Sequence, residues 1–307
     1  MNAPAKLAGF CAALVLLFAG GALAGGAVEP DRAGGKDPDP HETGPHAEKP
    51  AGTSASHGDA HGGDASETGE AAGVRGLAVA EGGLRLVVDD QQLERGEAER
   101  LRFRIVDDND KTVRDFDVEH TKRMHLIVAR RDLTGFQHLH PTQAGDGTWS
   151  TDLKLDDAGS YRLFADFSHE DTARTLATDL RVDGAATLRP LPAPARAAKS
   201  DGGYEVRVSG DSARPGKETE LKFAISKNGT TVHPEPYLGA GGHLVALCDG
   251  DLAFLHVHPT EHADDEGGHD DAISFSTTFP TAGKYRLFLQ FHHEGRVQTV
   301  AFTQEVK

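Results

Sequence analysis

An internal repeat constrains the fold of this chain more than any other sequence feature. His125 begins the run His-Leu-Ile-Val, and His243 begins the similar run His-Leu-Val-Ala 118 residues later. The same offset relates Gln-His-Leu-His-Pro at 137–141 to Leu-His-Val-His-Pro at 255–259. Self-similarity on this scale indicates two copies of one module.

The repeat continues towards the C-terminus with a change of offset. Segment 158–170 matches segment 282–294, which lies 124 residues further on. The second copy has therefore gained six residues, which we place in the acidic loop between Thr260 and Asp271. Both matches together extend the repeat over whole domains.

The sequence of each module predicts an all-β fold. Runs such as Leu101/Phe103/Ile105 alternate apolar with polar residues and are bounded by turn residues, and no stretch shows helical spacing over three turns. About seven such strands in a module of roughly 110 residues are typical of an antiparallel Ig-like β-sandwich. The connector between the modules is rich in proline and alanine, so we expect two rigid bodies on a short, stiff spacer. The predicted organisation is a signal peptide at 1–24, a disordered acidic tail at 25–73, module 1 at 75–183, the connector at 184–198 and module 2 at 199–307.

The N-terminus carries the pattern of an export signal. Lys6 precedes an apolar run that closes with Ala22-Leu23-Ala24, the small-x-small pattern that a signal peptidase accepts. We expect a secreted, periplasmic or cell-surface protein, the alternative being an uncleaved segment that anchors the chain in a membrane. The tail that follows contains four histidines and no apolar periodicity, which predicts disorder.

The composition favours a cationic ligand. A net charge of −16 repels nucleic-acid phosphates, so we expect no nucleic-acid partner, whereas it is compatible with metal ions. Histidine, with 17 copies, is the unusual component.

The second module suggests how its histidines meet. Asp249-Gly250 is a two-residue hairpin signal, and pairing around it sets Cys248 against Asp251 and His243 against His256. Residues that face each other across two strands share one side of the sheet, and His258 shares that side too. The neighbouring apolar residues on this side are expected to face the core. We therefore expect the metal site at one end of each sandwich, where the apolar layer opens.

Three imidazoles on two adjacent strands are suited to Cu(II), or alternatively Zn(II). A later histidine in each module, in phase with apolar residues of its strand, could add a fourth ligand from the facing sheet. The duplication of four histidines favours a metal role over isolated structural ones, although a duplicated structural role would persist as well. The predicted metal ligands are His125, His138, His140 and His169 in module 1 and His243, His256, His258 and His293 in module 2.

Other metal-binding residues are weaker candidates. Cys248 maps to Arg130 and lies on the strand face opposite His243, which disfavours a His-and-Cys blue copper centre. Met124 is the one methionine of the mature chain, so a thioether-rich Cu(I) site is not expected. Five further histidines have no matched partner in the other module: His120, His233, His262, His269 and His292.

These motifs resemble those of secreted bacterial proteins that carry Glu-Pro-Tyr-Leu-Gly-Ala, Gly-His-Leu and Leu-His-Val-His-Pro. The matching segments here are 235–240, 242–244 and 255–259. Module 1 departs from the first motif, which places equal function of the two modules in question. More distantly, the modules are similar to YtkA-like domains and to the β-sandwiches of periplasmic copper resistance, which implies copper or heavy-metal handling outside the cytoplasm.

We therefore expect a secreted protein that buffers or transfers copper, with zinc as the alternative ion. Its partners would be the metal ion and another extracytoplasmic metal-handling protein. A second hypothesis is a non-catalytic Ig-like module for cell-surface interactions, in which the histidines are structural. A third is a metalloenzyme, but no catalytic residue is assigned, because no nucleophile or carboxylate recurs in both modules and Asp166 maps to Gln290.

Overall fold

The computed structural model describes residues 74–257, Pro259 and 272–307, and of His256 it describes the backbone. The described residues form strands and no helix, so none of them could provide a helix that crosses a membrane. The predicted signal peptide, the predicted tail, His258 and the insert at 260–271 lie outside the described residues. The predicted all-β class is confirmed.

Module 1 is a sandwich of two sheets. Its strands are β1 (Ala80–Glu81), β2 (Leu84–Val88), β3 (Gln92–Leu93), β4 (Ala98–Asp107), β5 (His125–Arg130), β6 (Gln137–Leu139), β7 (Thr142–Gln143), β8 (Trp149–Lys154), β9 (Gly159–His169) and β10 (Thr172–Val182). One sheet has the order β1-β2-β4-β8-β7 and the other β3-β10-β9-β5-β6. All pairs are antiparallel except the short parallel contact of β3 with β10. Phe103, Trp149 and Leu163 belong to the buried cluster between these sheets.

Module 2 repeats the arrangement. Its strands are β11 (Ala197–Lys199), β12 (Tyr204–Gly210), β13 (Glu218–Lys227), β14 (Thr230–Thr231), β15 (His243–Cys248), β16 (Phe254–Val257), β17 (Ala272–Thr278), β18 (Gly283–His293) and β19 (Arg296–Val306). One sheet has the order β11-β12-β13-β14, with β17 also paired to β13, and the other has the order β16-β15-β18-β19. Phe223, Phe275 and Leu287 lie in the core between them. In both modules the two repeat histidines begin equivalent strands, β5 and β15.

The two modules pack face to face, a contact that the expected layout of two rigid bodies on a short spacer did not include. The outer face of the sheet that holds β5, β9 and β10 lies against the outer face of the sheet that holds β15, β18 and β19. A third buried apolar cluster fills this contact, which we call the module interface. It consists of Ile127, Ala129, Leu133, Phe164 and Ala177 from module 1 and Val245, Leu247, Leu252, Phe254 and Phe288 from module 2.

The module interface has pseudo-two-fold symmetry. Phe136 stacks on Phe288 with ring centroids 4.0 Å apart, and Phe164 stacks on Phe254 at 5.1 Å. The repeat relates Phe136 to Phe254 and Phe164 to Phe288, so the same contact is made twice in opposite directions. A self-complementary patch of this kind is the hallmark of a two-fold interface, here formed within one chain.

The connector is fastened to module 1. Arg130 donates a hydrogen bond to the carbonyl of Thr187 (3.1 Å), and the carboxylate of Asp132 accepts one from the backbone N–H of Arg189 (2.8 Å). Arg130 and Asp132 also form a buried ion pair at 3.3 Å. Burial alone would raise the pKa of Asp132, but the hydrogen bonds from Thr134 and Arg189 and the charge of Arg130 lower it overall. Leu191 then packs against the apolar cluster, so the connector closes one edge of the interface.

Phe288→Ala tests whether the interface stabilises the chain. The ring is 4% exposed and stacks on a residue of the other module, so its removal should lower the free energy of unfolding by about 3 kcal/mol. Val297→Ala, at a side chain that is 42% exposed, should have little effect. Urea unfolding followed by circular dichroism measures both variants, and equal stability of the two would contradict the packing described here.

Candidate metal centre

The histidines that begin β5 and β15 point into the module interface, not into the core of their own sandwich. His125 shares its strand face with Ile127 and Ala129, which belong to the interface cluster, whereas Leu126 and Val128 face the core of module 1. His243 is placed in the same way in module 2. Both side chains are almost fully buried, at 2% and 1% exposed. The predicted position at the end of each sandwich is wrong, because the apolar residues beside these histidines are covered by the other module.

The predicted hairpin register is wrong by two residues. In the structure His256 pairs with Val245 and Phe254 with Leu247, so the connection runs from Asp249 to Leu252. Leu252 has a left-handed backbone (φ 62°) and is buried in the interface, and the carboxylate of Asp251 accepts the N–H of Ala253 at 2.8 Å. These interactions favour a four-residue loop over a two-residue turn. A shift of two residues preserves side-chain parity, so the backbone still places His256 on the same sheet face as His243.

Three histidines of module 1 meet at one point. The ligand nitrogens of His125, His138 and His140 all lie within 4.8 Å of one another. Their ring centroids are 5.2, 5.1 and 4.7 Å apart. Three imidazoles bound to one tetrahedral ion at about 2.0 Å have centroids about 5 Å apart, so the separation already suits a shared ion. We call these three residues the histidine triad.

The outer nitrogens of two triad members face oxygen acceptors. His138 Nδ1 lies 2.8 Å from Oε1 of Gln290, and His125 Nε2 lies 3.3 Å from the carbonyl oxygen of Glu119. The amide nitrogen of Gln290 donates to the hydroxyl of Thr299 at 3.1 Å, which fixes the amide oxygen towards His138. Because carbonyl oxygens only accept, these contacts place the N–H of each neutral ring on its outer nitrogen.

The inner nitrogens then present lone pairs to each other. His125 Nδ1 and His138 Nε2 are 3.0 Å apart. Two lone pairs at this distance repel unless a cation lies between them, either a proton or a metal ion. Two nitrogens that each bind one ion at about 2.0 Å are separated by about 2.8–3.3 Å, and the observed distance falls in this range. Histidines that bind metals usually donate their other N–H to a carbonyl or carboxylate, as these two do.

A hydrogen bond across the module interface holds one member of the triad. His138 belongs to module 1, whereas Gln290 is on β18 of module 2 and only 7% exposed. Gln290 pairs with His243 in the sheet, and its counterpart in module 1, Asp166, pairs with His125. Asp166 is 8% exposed and accepts a hydrogen bond from Thr175 at 2.6 Å. Asp166 is therefore a buried carboxyl group on the same sheet face as His125.

His243 approaches the triad from the other module. Its ring centroid is 6.2 Å from that of His125 and 6.1 Å from that of His138. Its Nε2 lies 3.0 Å from the carbonyl oxygen of Tyr237, just as Nε2 of His125 faces Glu119. The repeat relates Glu119 to Tyr237, and each lies in a tight turn closed by an isolated bridge. A backbone carbonyl in a tight turn of the same kind therefore orients both histidines.

The structure does not bring His169 and His293 to the triad. Phe167 and Phe291 face the cores of their modules, and the histidine two residues later lies on that same face, opposite to the face of His125 and His243. His169 Nδ1 contacts the carbonyl of Asp115 at 2.7 Å, and His293 Nδ1 contacts the hydroxyl of Tyr204 at 2.8 Å. The prediction that His169 and His293 complete the metal shell is therefore wrong. It was based on their being in phase with the core aromatics of their strands, and this phase directs both side chains away from the interface.

The side chains of His256 and His258 lie outside the described residues, so their role stays a prediction. Cys248 is buried in the core of module 2, on the side of β15 opposite His243. Burial raises the pKa of its thiol above the ordinary value, and the negative charge of Asp251 acts in the same direction. The neutral thiol is a poor ligand and lies on the wrong face for the triad.

Sequence reasoning missed Gln290 and His120. Gln290 interrupts an apolar run and is the repeat counterpart of Asp166, which is the signal that could have identified it. His120 has no counterpart in the repeat, yet its ring packs edge-on against that of His243 with centroids 5.4 Å apart. Its left-handed backbone (φ 47°) belongs to the turn that supplies the Glu119 carbonyl.

The fold and the site define a tandem Ig-like β-sandwich protein with a histidine cluster at its module interface. A model of a protein family described as a domain of unknown function, DUF8832, matches residues 78–184 and again residues 198–307. The chain therefore belongs to this family and contains its domain twice. No curated protein sequence matches the chain.

Several solved structures show a weak likeness. The Escherichia coli adhesin FdeC is 14% identical, with a TM-score of 0.26 over 75% of this chain and 66% of the adhesin. The Yersinia pseudotuberculosis adhesin InvE is 14% identical, with a TM-score of 0.21 over 72% of this chain and 58% of that one. Trypsin-activated alpha-2-macroglobulin from Escherichia coli is 14% identical, with a TM-score of 0.26 over 77% of this chain and 16% of that one. The chain spans less than two thirds of each, and likeness at this level carries no argument about function.

Proposed function

We propose that this protein binds a transition-metal ion at the histidine triad. The observation that carries the proposal is the 3.0 Å separation of two inward-facing nitrogens whose outer nitrogens are both held by oxygen acceptors. That arrangement favours a cation between the rings. The third ring, His140, has its ligand nitrogen within 4.8 Å of the other two and makes a metal ion the better fit than a shared proton.

The donor set selects the metal. Three neutral imidazoles suit Cu(II) and Zn(II), and Cu(II) binds more tightly to nitrogen ligands in the usual affinity order. Soft Cu(I) prefers sulfur, and Cys248 and Met124 lie in the cores of their modules, away from the triad face. The net charge of −16 offsets part of the charge of the ion.

In this proposal the protein works outside the cytoplasm, where its signal-like N-terminus would send it. An oxidising exterior favours the cupric ion. The protein would buffer that ion or pass it to another extracytoplasmic metal-handling protein. If residues 1–24 are not removed, it would do so at a membrane surface.

Copper titration of histidine variants tests the proposal. In the reference chain, His41, His46, His57 and His61 of the tail, His262 and His269 of the insert, and His256 and His258 are replaced by Gln, so that the triad and the neighbouring His243 remain as candidates. We expect competition with a chromophoric chelator to show binding tighter than micromolar, weakened at least about tenfold by His138→Gln or His140→Gln, since losing a ligand costs at least as much as losing an outer hydrogen-bond partner.

His169→Gln and His293→Gln are the matched controls for this titration. Both residues resembled ligands in sequence, but the structure places them on the other sheet face, so their replacement should leave the affinity unchanged. Binding no tighter than micromolar in the reference chain and in the unmodified protein would disprove the proposal. Equal effects of the triad and control variants would disprove the assignment of ligands.

A second candidate function is an Ig-like interaction module in which the histidines are structural. The hydrogen bond from His138 to Gln290 favours it, because this contact joins the two modules without any ion. A proton held between His125 and His138 would satisfy their facing nitrogens in the same way.

Melting temperature separates the two functions. A metal ion that binds only the folded state stabilises it by a free energy that grows with the logarithm of the ratio of the metal concentration to Kd, so a saturating excess of Zn(II) should raise the melting temperature of the reference chain by several degrees. We expect His140→Gln to abolish this increase. A melting temperature indifferent to Zn(II) and to chelator, but lowered by His138→Gln, would favour the structural function instead.

A further inference from the structure

Resting on the proposed metal function, we propose that the ion is shared between the two modules, with His243 of module 2 as the fourth ligand of the triad in module 1. The sequence predicts one independent site in each module, whereas the structure brings the first imidazole of module 2 against the cluster of module 1. A single metal ion would then be bound by ligands from both sides of the module interface.

The local hydrogen bonding gives His243 the tautomer that a ligand needs. Its Nε2 faces the carbonyl oxygen of Tyr237 at 3.0 Å, so the N–H of the neutral ring lies on Nε2 and the lone pair lies on Nδ1. His125 is held in this way by Glu119. A histidine that binds a metal through one ring nitrogen usually donates the N–H of its other ring nitrogen to a carbonyl or carboxylate oxygen.

The distances require only a small closure. His243 lies 6.2 and 6.1 Å from His125 and His138 between ring centroids, whereas the rings of the triad are 4.7 to 5.2 Å apart. An approach of about 1 Å towards His125 and His138 would bring the His243 ring to the centroid spacing that tetrahedral ligands have from these two rings. The ring is 1% exposed, so it would exchange no bulk water when it binds.

The backbone of module 2 holds His243 beside the other residue that faces the triad. His243 pairs with Gln290, and Gly242 lies so close to that strand that an added Cβ would be 2.8 Å from the carbonyl oxygen of Gln290. A side chain at this position would push β15 away from β18. Gly242 therefore allows module 2 to present an imidazole and the Gln290 amide to the triad side by side.

Sharing the ion has an energetic consequence. Because ligands come from both modules, the affinity for metal depends on the docking of the modules, and bound metal stabilises that docking by the same free energy. The apolar interface already holds the modules together, so the site is assembled before the ion arrives. Preorganised ligands bind more tightly than ligands that must first be brought together.

The test adds His243→Gln to the reference chain, in which the His256 and His258 side chains are already replaced. Glutamine can still donate to the Tyr237 carbonyl, which preserves the fold. Pulsed EPR of bound Cu(II) should count four imidazoles in the reference chain and three in the variant, and the affinity should fall at least about tenfold. His233→Gln, at an exposed histidine of the same module, is the matched control and should change neither value.

Histidine ¹⁵N NMR of the unaltered reference chain provides a measurement that needs no variant at this position. Zn(II) should shift Nδ1 of His243 together with the ligand nitrogens of the triad. Tight binding with three imidazoles, an unshifted His243 and an affinity unaffected by His243→Gln would overturn the shared ion while leaving the proposed function intact. Failure of both the reference chain and the unmodified protein to bind any metal would overturn both.

Discussion

The apolar contact between the two facing sheets is the interaction on which the rest of the structure depends. It buries one face of β5 and β15 that would otherwise meet water, and it brings side chains of both modules to the same place. Removing this surface from water is the main favourable contribution to docking, at about 25 cal/mol per Å² of apolar area. The histidines lie at the polar margin of this contact, so their geometry is fixed by packing between modules as well as by the turns that precede them.

The strands and the repeat could be predicted from sequence, because alternation and self-similarity are local signals. The parity of the histidines was also predictable, since β5 and β15 place every second side chain on one face. The partner of that face was not: both strands are apolar on both sides, as in His-Leu-Ile-Val-Ala, and all their residues are buried. Such a run indicates that both faces of the strand are buried. We expected burial on one face only, as in the alternating strands of the same modules, and so did not predict the contact on the second face.

What sequence could not give is the relation between the modules. The pseudo-two-fold packing arises from shape complementarity of two whole sheets, and no spacing along the chain encodes it. For this reason the pairing of His138 with Gln290, separated by 152 residues, was not predicted, and the face of His125 and His243 was taken for the core face, on which His169 and His293 lie. The hairpin register failed for a more local reason, because burial of Leu252 and the hydrogen bond to Asp251 favour a longer loop than Asp-Gly alone suggests.

Duplication gives this chain two equivalent sheets that cover each other, and a polar cluster at their margin would couple a ligand to their packing. We propose that an ion occupies the point where the rings of His125, His138 and His140 converge. Anomalous diffraction at the copper edge, from crystals of the unmodified protein grown with Cu(II), tests it most directly. We expect a strong peak in the anomalous difference map about 2.0 Å from a nitrogen of each ring. Peaks confined to other histidines, with His125 and His138 still in direct contact, would contradict it.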